Sequence, residues 1–446
     1  MSVVVRFAPS PTGLLHFGNL RTAVLNWLYA RQSGGRYVLR LDDTDLARST
    51  AEYGVAIKED LNWVGLDHDE LVVQSARTAR YDNAVEKLKK SGRLYPCYES
   101  PQELERKRKR QLLRGAPPVY DREALGLDAA ARAALEAAGR TPHWRFRLEQ
   151  CQVTWADLVR GEQSVDCASL SDPVLVREDA SYLYTLPSVV DDIETGITDV
   201  VRGEDHVANT APQIQLFEAL SAPPPRFGHH SLLVAGDGGR LSKRAGALSI
   251  GALRQSGIEA MTVASMAATI GTSDPITAFQ DMDALWQTFD FAKLSRAPAR
   301  FDADDLKILN AKLLHNRDYA RVSQRLAGMG IGGGEALWNA VRANLTILED
   351  ARLWWKIVSS PIAPVVGDEA DFCAKAADLL GPEPWDHDTW PVWTKQLSAA
   401  SGRKGRTLFM PLRLALTGQA RGPQMADLLP LIGAPRALAR LRGSVG

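Results

Sequence analysis

The stretch FAPSPTGLLHFGNLRTAVLNW, Phe7 to Trp27, decides how this chain folds. It follows Val3–Phe7, whose β-branched and apolar residues read as a buried strand. Pro9 and Pro11 fix φ and stiffen the loop, while Gly13 permits close backbone approach. Leu20, Val24, Trp27 and Leu28 recur at helical spacing, in a helix that starts near Gly18 and stops at Gly34 and Gly35. Tyr37–Leu41 reads as the next strand. Strand, helix, strand is a βαβ unit, which implies a parallel sheet and a ligand site at the carboxyl ends of its strands. The helix start sets free amides and a positive dipole end above that sheet, an arrangement suited to an anion. His16 stands there as a side-chain donor for a phosphate oxygen.

With 446 residues the chain is too long for one hydrophobic core, and two or three domains are expected. Lysine plus arginine (53) balances aspartate plus glutamate (53), which argues against wholesale coating of nucleic acid. Local basic runs remain: ERKRKR (Glu105 to Arg110), RKGR (Arg403 to Arg406) and RALARLR (Arg436 to Arg442). No apolar run is long enough to span a bilayer, and MSVVVRFAPS lacks the basic flank and apolar stretch of a signal peptide. Cys97, Cys151, Cys167 and Cys373 form no Cys-x-x-Cys pair, which fits a reducing cytosol better than a disulfide framework or a zinc knuckle.

From about Tyr95 to Glu178 the pattern breaks into an arginine-rich helix, a Pro117–Pro118 turn, an alanine-rich helix around Ala129–Ala138 and short strands such as His143–Leu148. This segment reads as an insertion. Sheet-like signals resume at Thr198–Arg202 and Ser231–Val234, with a helix from Thr210 to Leu220 between them. Past about Asn310 the chain reads as helical, punctuated by SSPIAP (Ser359 to Pro364) and GPEPWDHD (Gly381 to Asp388). Trp354, Trp355, Trp390 and Trp393 read as core packing rather than as stacking platforms.

A second chemical element is GDGGRLSKRAG (Gly236 to Gly246), a glycine-rich turn followed by Arg240, Lys243 and Arg244. Such a cationic loop can close over a polyphosphate and neutralise the leaving group's charge. Together, PSPTGLLHFGN and RLSKR resemble the two ATP-binding signatures of class I aminoacyl-tRNA synthetases, with wording most similar to the bacterial glutamyl-tRNA synthetase family. RLDDTD (Arg40 to Asp45), YLYTLPSVVDD (Tyr182 to Asp192), TDVVRGEDH (Thr198 to His206), RAPARFD (Arg296 to Asp302) and FMPLRLALTG (Phe409 to Gly418) extend the resemblance over essentially the whole chain.

The resemblance implies an α/β fold: a Rossmann-type parallel-sheet catalytic domain with an α+β insertion, followed by an all-α anticodon-binding region. Its expected boundaries are 1–90 and 189–250 for the two Rossmann halves, the second carrying the RLSKR loop, and 91–188 for an insertion meeting the tRNA acceptor end. A linking stem-contact region at 251–312 and a two-part helical anticodon region at 313–446 complete the chain. The implied reaction is ATP-dependent ligation of L-glutamate to tRNA(Glu) through glutamyl-adenylate, releasing AMP and diphosphate. Mg²⁺ accompanies ATP, and the implied enzyme is a cytoplasmic monomer with no membrane association. Carried over residue by residue, Thr12, His16, Gly18, Asn19, Asp205, Ser242, Lys243 and Arg244 fall on the ATP side, with His16 and Lys243 catalytic. Arg6, Ala8, Ser10, Asp42, Tyr184, Ser188 and Arg202 fall on the glutamate side. Arg6 and Arg202 match the carboxylate-binding arginines, a task that suits a rigid guanidinium fork, and Asp42 matches the acid that holds the amino group.

The sequence departs from the family pattern at three places. Asn19 stands where the class has a second histidine, keeping a hydrogen bond but no charge, and Ser188 falls where many members carry asparagine. Glu99, in YPCYES, takes the place of a second cysteine found in zinc-bearing members, and no Cys/His pair stands near Tyr120–Glu123. No structural zinc is therefore expected. Other readings stay open: an enzyme that also charges tRNA(Gln), or a tRNA-modifying glutamyl transferase, which stops before the helical end. A catalytically dead paralogue would have lost His16, Lys243 or the glutamate arginines, and an RNA-independent adenylate-forming ligase would lack the helical region.

Overall fold

The computed structural model describes residues 2–235, 239 and 249–446. The chain divides into two compact units, residues 1–256 with 263–303, and residues 257–262 with 304–446.

In the first unit, β1 (Val4–Phe7), β2 (Arg36–Leu41) and β3 (Glu70–Val73) form a parallel sheet in that order. Every residue of β1 and Tyr37–Leu41 of β2 is buried, the near-continuous apolar signature of a sheet covered on both faces. Helix α1 (Phe17–Gln32) connects β1 to β2, and Gly35 lets the returning chain pass Val3, whose carbonyl oxygen lies 2.2 Å from where a Cβ would stand. The insertion supplies β4 (Leu94–Cys97), β5 (His143–Phe146), β6 (Gln152–Asp157), β7 (Gly161–Asp166) and β8 (Val174–Val176). These sort into two sheets. The strands β4, β5 and β8 make a small antiparallel sheet, while the β6–β7 hairpin joins β9 (Asp199–Gly203) and β10 (Arg226–His230) in the order β7-β6-β10-β9. Part of the segment read as an insertion thus extends the second half of the main sheet. Finally β11 (Leu233–Ala235) pairs in parallel with β12 (Ala299–Phe301), which uses the RAPARFD stretch. Of the strand expected at Ser231–Val234, only Leu233 and Val234 lie in a strand, β11, while β10 ends at His230 and Ser231 and Leu232 connect the two.

The two halves of the main sheet meet between β1 and β9. Thr198 N donates to Val4 O at 2.9 Å, and Val4 N donates to Thr198 Oγ1 at 2.8 Å. Helix α1 ties the halves more firmly through buried polar side chains. Arg21 donates to the carbonyls of Ser231 (2.6 Å) and Ile270 (3.0 Å), Asn26 donates to Val201 O (3.0 Å), and Thr22 Oγ1 lies 2.9 Å from His230 Nε2. A helix buried on nearly every side has to satisfy its polar groups internally, and α1 does so on the neighbouring half-sheet.

The second unit is helical among the described residues past Ala303. Its core gathers Trp338, Trp354, Trp393, Leu397, Leu412, Leu428 and Ile432, with Trp355 and Trp390 packed against it, so the tryptophans are core residues as the sequence reading expected. Arg440, from the basic run RALARLR, is fully buried and donates to the carbonyls of Leu416, Ile357, Ser360 and Gly446. That arginine is structural.

Two tests follow from this packing. At Gly422, with φ +147°, a Cβ would lie 2.1 Å from Trp354 Cη2. Gly422→Ala should therefore cost about 1–3 kcal/mol, read as a lowered urea midpoint, with an unchanged midpoint overturning the contact. Burial holds His230 neutral, its pKa pushed down to about 3. The unfolded chain takes up that proton below about pH 6.5 while the native chain does not, so stability falls with pH from there at about 1.4 kcal/mol per unit. Urea midpoints should drop between pH 7 and pH 5, and His230→Asn should flatten that drop.

Candidate active site

Beyond the carboxyl ends of β1 and β9 lies a cleft of about 930 Å³. Strands leave β1 and β9 toward opposite sides, which makes their junction the topological switch point where open α/β sheets bind ligands. Of the residues expected on the glutamate side, Arg6, Ala8, Ser10, Asp42, Tyr184 and Arg202 line this cleft. Of those expected on the ATP side, Thr12, His16, Gly18, Asn19 and Asp205 line it as well. Ser188 differs from the expectation. It is fully buried beneath the wall, and its hydroxyl accepts from Arg40 Nη2 at 2.7 Å. Ser242, Lys243 and Arg244 lie outside the described residues.

The loop after β1 is held by its prolines' carbonyls, which remain acceptors although the ring nitrogens cannot donate. Asp42 N donates to Pro9 O (3.0 Å) and Thr50 N to Pro11 O (3.1 Å). At the end of this loop His16 caps α1, its Nδ1 accepting from Asn19 N at 3.3 Å. With Nδ1 an acceptor and burial lowering its pKa, the neutral ring carries its proton on Nε2, where it can donate to a ligand. Gly18 makes room for the ring, since a Cβ there would stand 3.2 Å from His16 Cε1 and Nδ1. The first turn of α1 carries no acidic residue, so nothing there cancels the dipole.

At the deep end the three arginines are held in different ways. Arg6 Nε donates to Asp192 Oδ1 at 3.2 Å, and Arg40 Nη1 donates to the same oxygen at 2.6 Å. Arg40 also grips Asp42 with Nε to Oδ1 (2.7 Å) and Nη2 to Oδ2 (3.1 Å). Burial raises the Asp42 carboxyl above its ordinary value, and Arg40 beside it offsets only part of that rise. Arg202 has no carboxylate partner among the described residues. Its donors go to His229 Nε2 (3.2 Å), Thr210 Oγ1 (2.9 Å), Tyr184 Oη (3.4 Å) and His206 O (3.4 Å). Arg6 and Arg40 are thus paired with carboxylates, whereas the guanidinium of Arg202 touches only neutral groups. His206 adds no charge, since burial and then Arg202 push its pKa down to about 4. An isolated buried cation is costly, so this site is built to receive an anion.

Sequence reasoning missed Arg40, Asp192, His206 and His229. The first three sit inside the stretches RLDDTD, YLYTLPSVVDD and TDVVRGEDH, where they served only as marks of resemblance. It also missed a cluster in the insertion, where the register pairs Cys97 with His143 and brings the ligand atoms of Cys97, Glu99 and His143 within 4.8 Å. The fit to a zinc ion is poor. Burial pushes the Cys97 thiol up to about 11, Arg145 Nε donates to His143 Nε2 (3.3 Å), and the Lys107 ammonium sits among Glu99, Asp121 and Glu123. A dication would need the thiolate and would face two cations already in place.

Residues 2–308 match the model of the catalytic domain of class I tRNA synthetases (E and Q), and residues 371–445 match the anticodon binding domain. A glutamate–tRNA ligase 2 of Methylorubrum populi is 58% identical over 444 residues, with 99% of each chain covered. A glutamate–tRNA ligase 1 of Maricaulis maris is 55% identical, with 98% of this chain and 99% of the relative covered. Among solved structures, a glutamate tRNA ligase from Elizabethkingia meningosepticum, in complex with its amino acid, superposes with a TM-score of 0.84 at 27% identity. That match covers 99% of this chain and 98% of the other. The sheet, the cleft at its switch point and these matches agree, and the chain belongs to the class I tRNA synthetase (E and Q) family.

Proposed function

We propose that this protein ligates L-glutamate to tRNA(Glu), activating it with ATP as glutamyl-adenylate and releasing AMP and diphosphate. The observation that carries this reading is Arg202, a guanidinium only 5% exposed, on the cleft wall and without a carboxylate partner among the described residues. The side-chain carboxylate of glutamate supplies the contacting carboxylate that Arg202 lacks, whereas the carboxamide of glutamine does not. In this reading the side-chain carboxylate meets Arg202 and Arg6, and the ammonium meets Asp42. Ala8, Ser10 and Tyr184 fit around the backbone of the amino acid, and Ser188 acts from beneath by holding Arg40.

The α-carboxylate then attacks the α-phosphorus of ATP. ATP enters as its Mg²⁺ complex, over Thr12, His16, Gly18 and Asn19, with Asp205 on the opposite wall. The Nε2–H of His16 and the amides of α1 stabilise charge that grows on the phosphate oxygens, a contribution of position and field rather than of covalent chemistry. Ser242, Lys243 and Arg244 join them from the RLSKR loop, by the resemblance of their motif. The terminal ribose hydroxyl of tRNA takes the acyl group, with AMP as leaving group.

The same reading assigns the insertion to the acceptor end of tRNA and the helical region to the anticodon. The exposed helix Pro101–Leu113, which buries none of its residues and carries ERKRKR, supports the first assignment. The match of residues 371–445 to an anticodon binding domain supports the second, and it disfavours a transferase that ends before the helices. No helix of the described residues is long and apolar enough to cross a membrane, and we place the enzyme in the cytoplasm as a monomer. Its insertion is held by Lys107 rather than by zinc.

Aminoacylation of purified tRNA(Glu) and tRNA(Gln), side by side, tests the reaction. Glutamate charging of tRNA(Glu) is expected, and no charging of either would overturn it. Arg202→Gln should raise KM for glutamate roughly 30-fold or more while KM for ATP stays put, because losing one side of a buried charge pair costs about 2–5 kcal/mol. Equal loss for both substrates would remove Arg202 from the glutamate end. Metal analysis of the purified chain should find well under one zinc per molecule, and stoichiometric zinc would sink the lysine-centred reading.

A further inference from the structure

We propose that Asp157 and His229 are positioning residues for Arg202: the carboxylate of Asp157 fixes the orientation of His229, and the imidazole aims the guanidinium without a carboxylate touching it. The inference rests on the assignment of Arg202 to the glutamate carboxylate. It concerns what stands behind that arginine.

Asp157 closes β6, where the ladder to β10 gives way to side-chain bonding. The strands share the pair Phe227 and Asp157, and Leu158 N donates to Phe227 O at 2.8 Å. Asp157 Oδ1 then accepts from three backbone amides, those of His229, Val159 and Arg160, each at 3.0 Å. Its Oδ2 faces His229 Nδ1, and both side chains are fully buried. Burial alone would raise the Asp157 carboxyl, but the donors from His229, Arg160 and Val159 hold it at about 2, so it stays charged. Burial likewise lowers the pKa of His229, so the ring stays neutral.

A neutral histidine beside an ionised carboxylate keeps its proton on the nitrogen that faces the carboxylate. Nδ1–H therefore donates to Asp157, and Nε2 is left as a bare acceptor. That acceptor is where Arg202 Nε arrives, at 3.2 Å, with Thr210 Oγ1 at the same distance. Arg202 Nη2 donates to Thr210 Oγ1 at 2.9 Å, and the guanidinium carbon lies 5.6 Å from the Phe227 ring centroid, over its face. One edge of the fork is thus consumed by neutral groups.

The contrast with Arg6 and Arg40 gives this arrangement its meaning. Those two are fixed by Asp192 and Asp42, which orient them and cancel charge in one step. A carboxylate in the place of His229 would orient Arg202 equally well but would leave an acidic substrate little to gain. An imidazole with the opposite tautomer would point an N–H at another N–H and swing the guanidinium away. The carboxylate of Asp157 selects between these tautomers, in the manner described for the aspartate of a Ser-His-Asp triad, although here nothing is deprotonated.

The test uses the full-length enzyme in tRNA-dependent ATP–diphosphate exchange, with KM for glutamate and for ATP measured separately. Asp157→Asn can donate its amide to Nδ1 and so reverse the tautomer. It should raise KM for glutamate about tenfold or more, the value of a hydrogen bond to a charged group, with KM for ATP and kcat within about threefold. In a His229→Gln background, where the side-chain oxygen can stand in for Nε2 and no tautomer exists, Asp157→Asn should add little further loss. His229→Leu, which removes the acceptor, should lose at least as much as Asp157→Asn, and His229→Gln should recover most of that loss. Should Asp157→Asn fail to fold, the comparison of Leu with Gln at position 229 decides alone. Equal effects of Leu and Gln, an unchanged KM for glutamate in Asp157→Asn, or parallel losses in both KM values would overturn the proposal. If Arg202→Gln itself leaves KM for glutamate untouched, the assignment of Arg202 has failed instead.

Discussion

Asp192 Oδ1 accepts hydrogen bonds from both Arg6 and Arg40, and through them it joins the ends of β1 and β2 to the helix Thr185–Glu194. Much of the cleft depends on this one oxygen. Arg40, locked against it, fixes Asp42 and Ser188 in turn, so the floor of the cleft's deep end is a closed ionic network with almost no solvent contact. Burying such a network is only weakly favourable, but breaking it is expensive, about 3–5 kcal/mol for an orphaned partner. Its role here is geometric. It presents one arginine and one aspartate to the cleft at fixed positions, and none of its carboxylates touches Arg202.

Helix α1 does the complementary work at the end of the cleft proposed for ATP. Its first turn faces the cleft through His16, Gly18 and Asn19, and its next turns reach across to Ser231, Ile270 and Val201 with Arg21 and Asn26. The element that receives the phosphates in the proposed reading is thus the one that ties the half-sheets together. Rigidity and binding share one set of backbone bonds, as preorganised electrostatic sites require.

The sequence was legible where one segment carries its own pattern. The strand Val4–Phe7, the proline loop and α1 could be read directly, because apolar runs, proline positions and helical spacing are local signals. The strand Arg226–His230 could not, since RFGHH hides two buried neutral histidines behind a polar-looking string. Contacts that span the fold were equally silent. Arg40 meets Asp192 across 152 positions, and Cys97 meets His143 only through the register of β4 on β5. Family resemblance placed eleven of the site residues on the cleft wall, among them Arg6, His16, Asp42, Arg202 and Asp205, but it gave no hint of the groups that stand behind them.

The seam between β1 and β9 has a consequence for how such a chain can change over generations. Hydrogen bonds between Val4 and Thr198 join the half-sheets there, so the long excursion that separates them in sequence leaves from one sheet edge and returns to another. The strands β4, β5 and β8 of that excursion form a sheet of their own and can lengthen, shorten or be exchanged while the main ladders keep their register. The β6–β7 hairpin cannot, because β6 pairs with β10 and carries Asp157 behind His229.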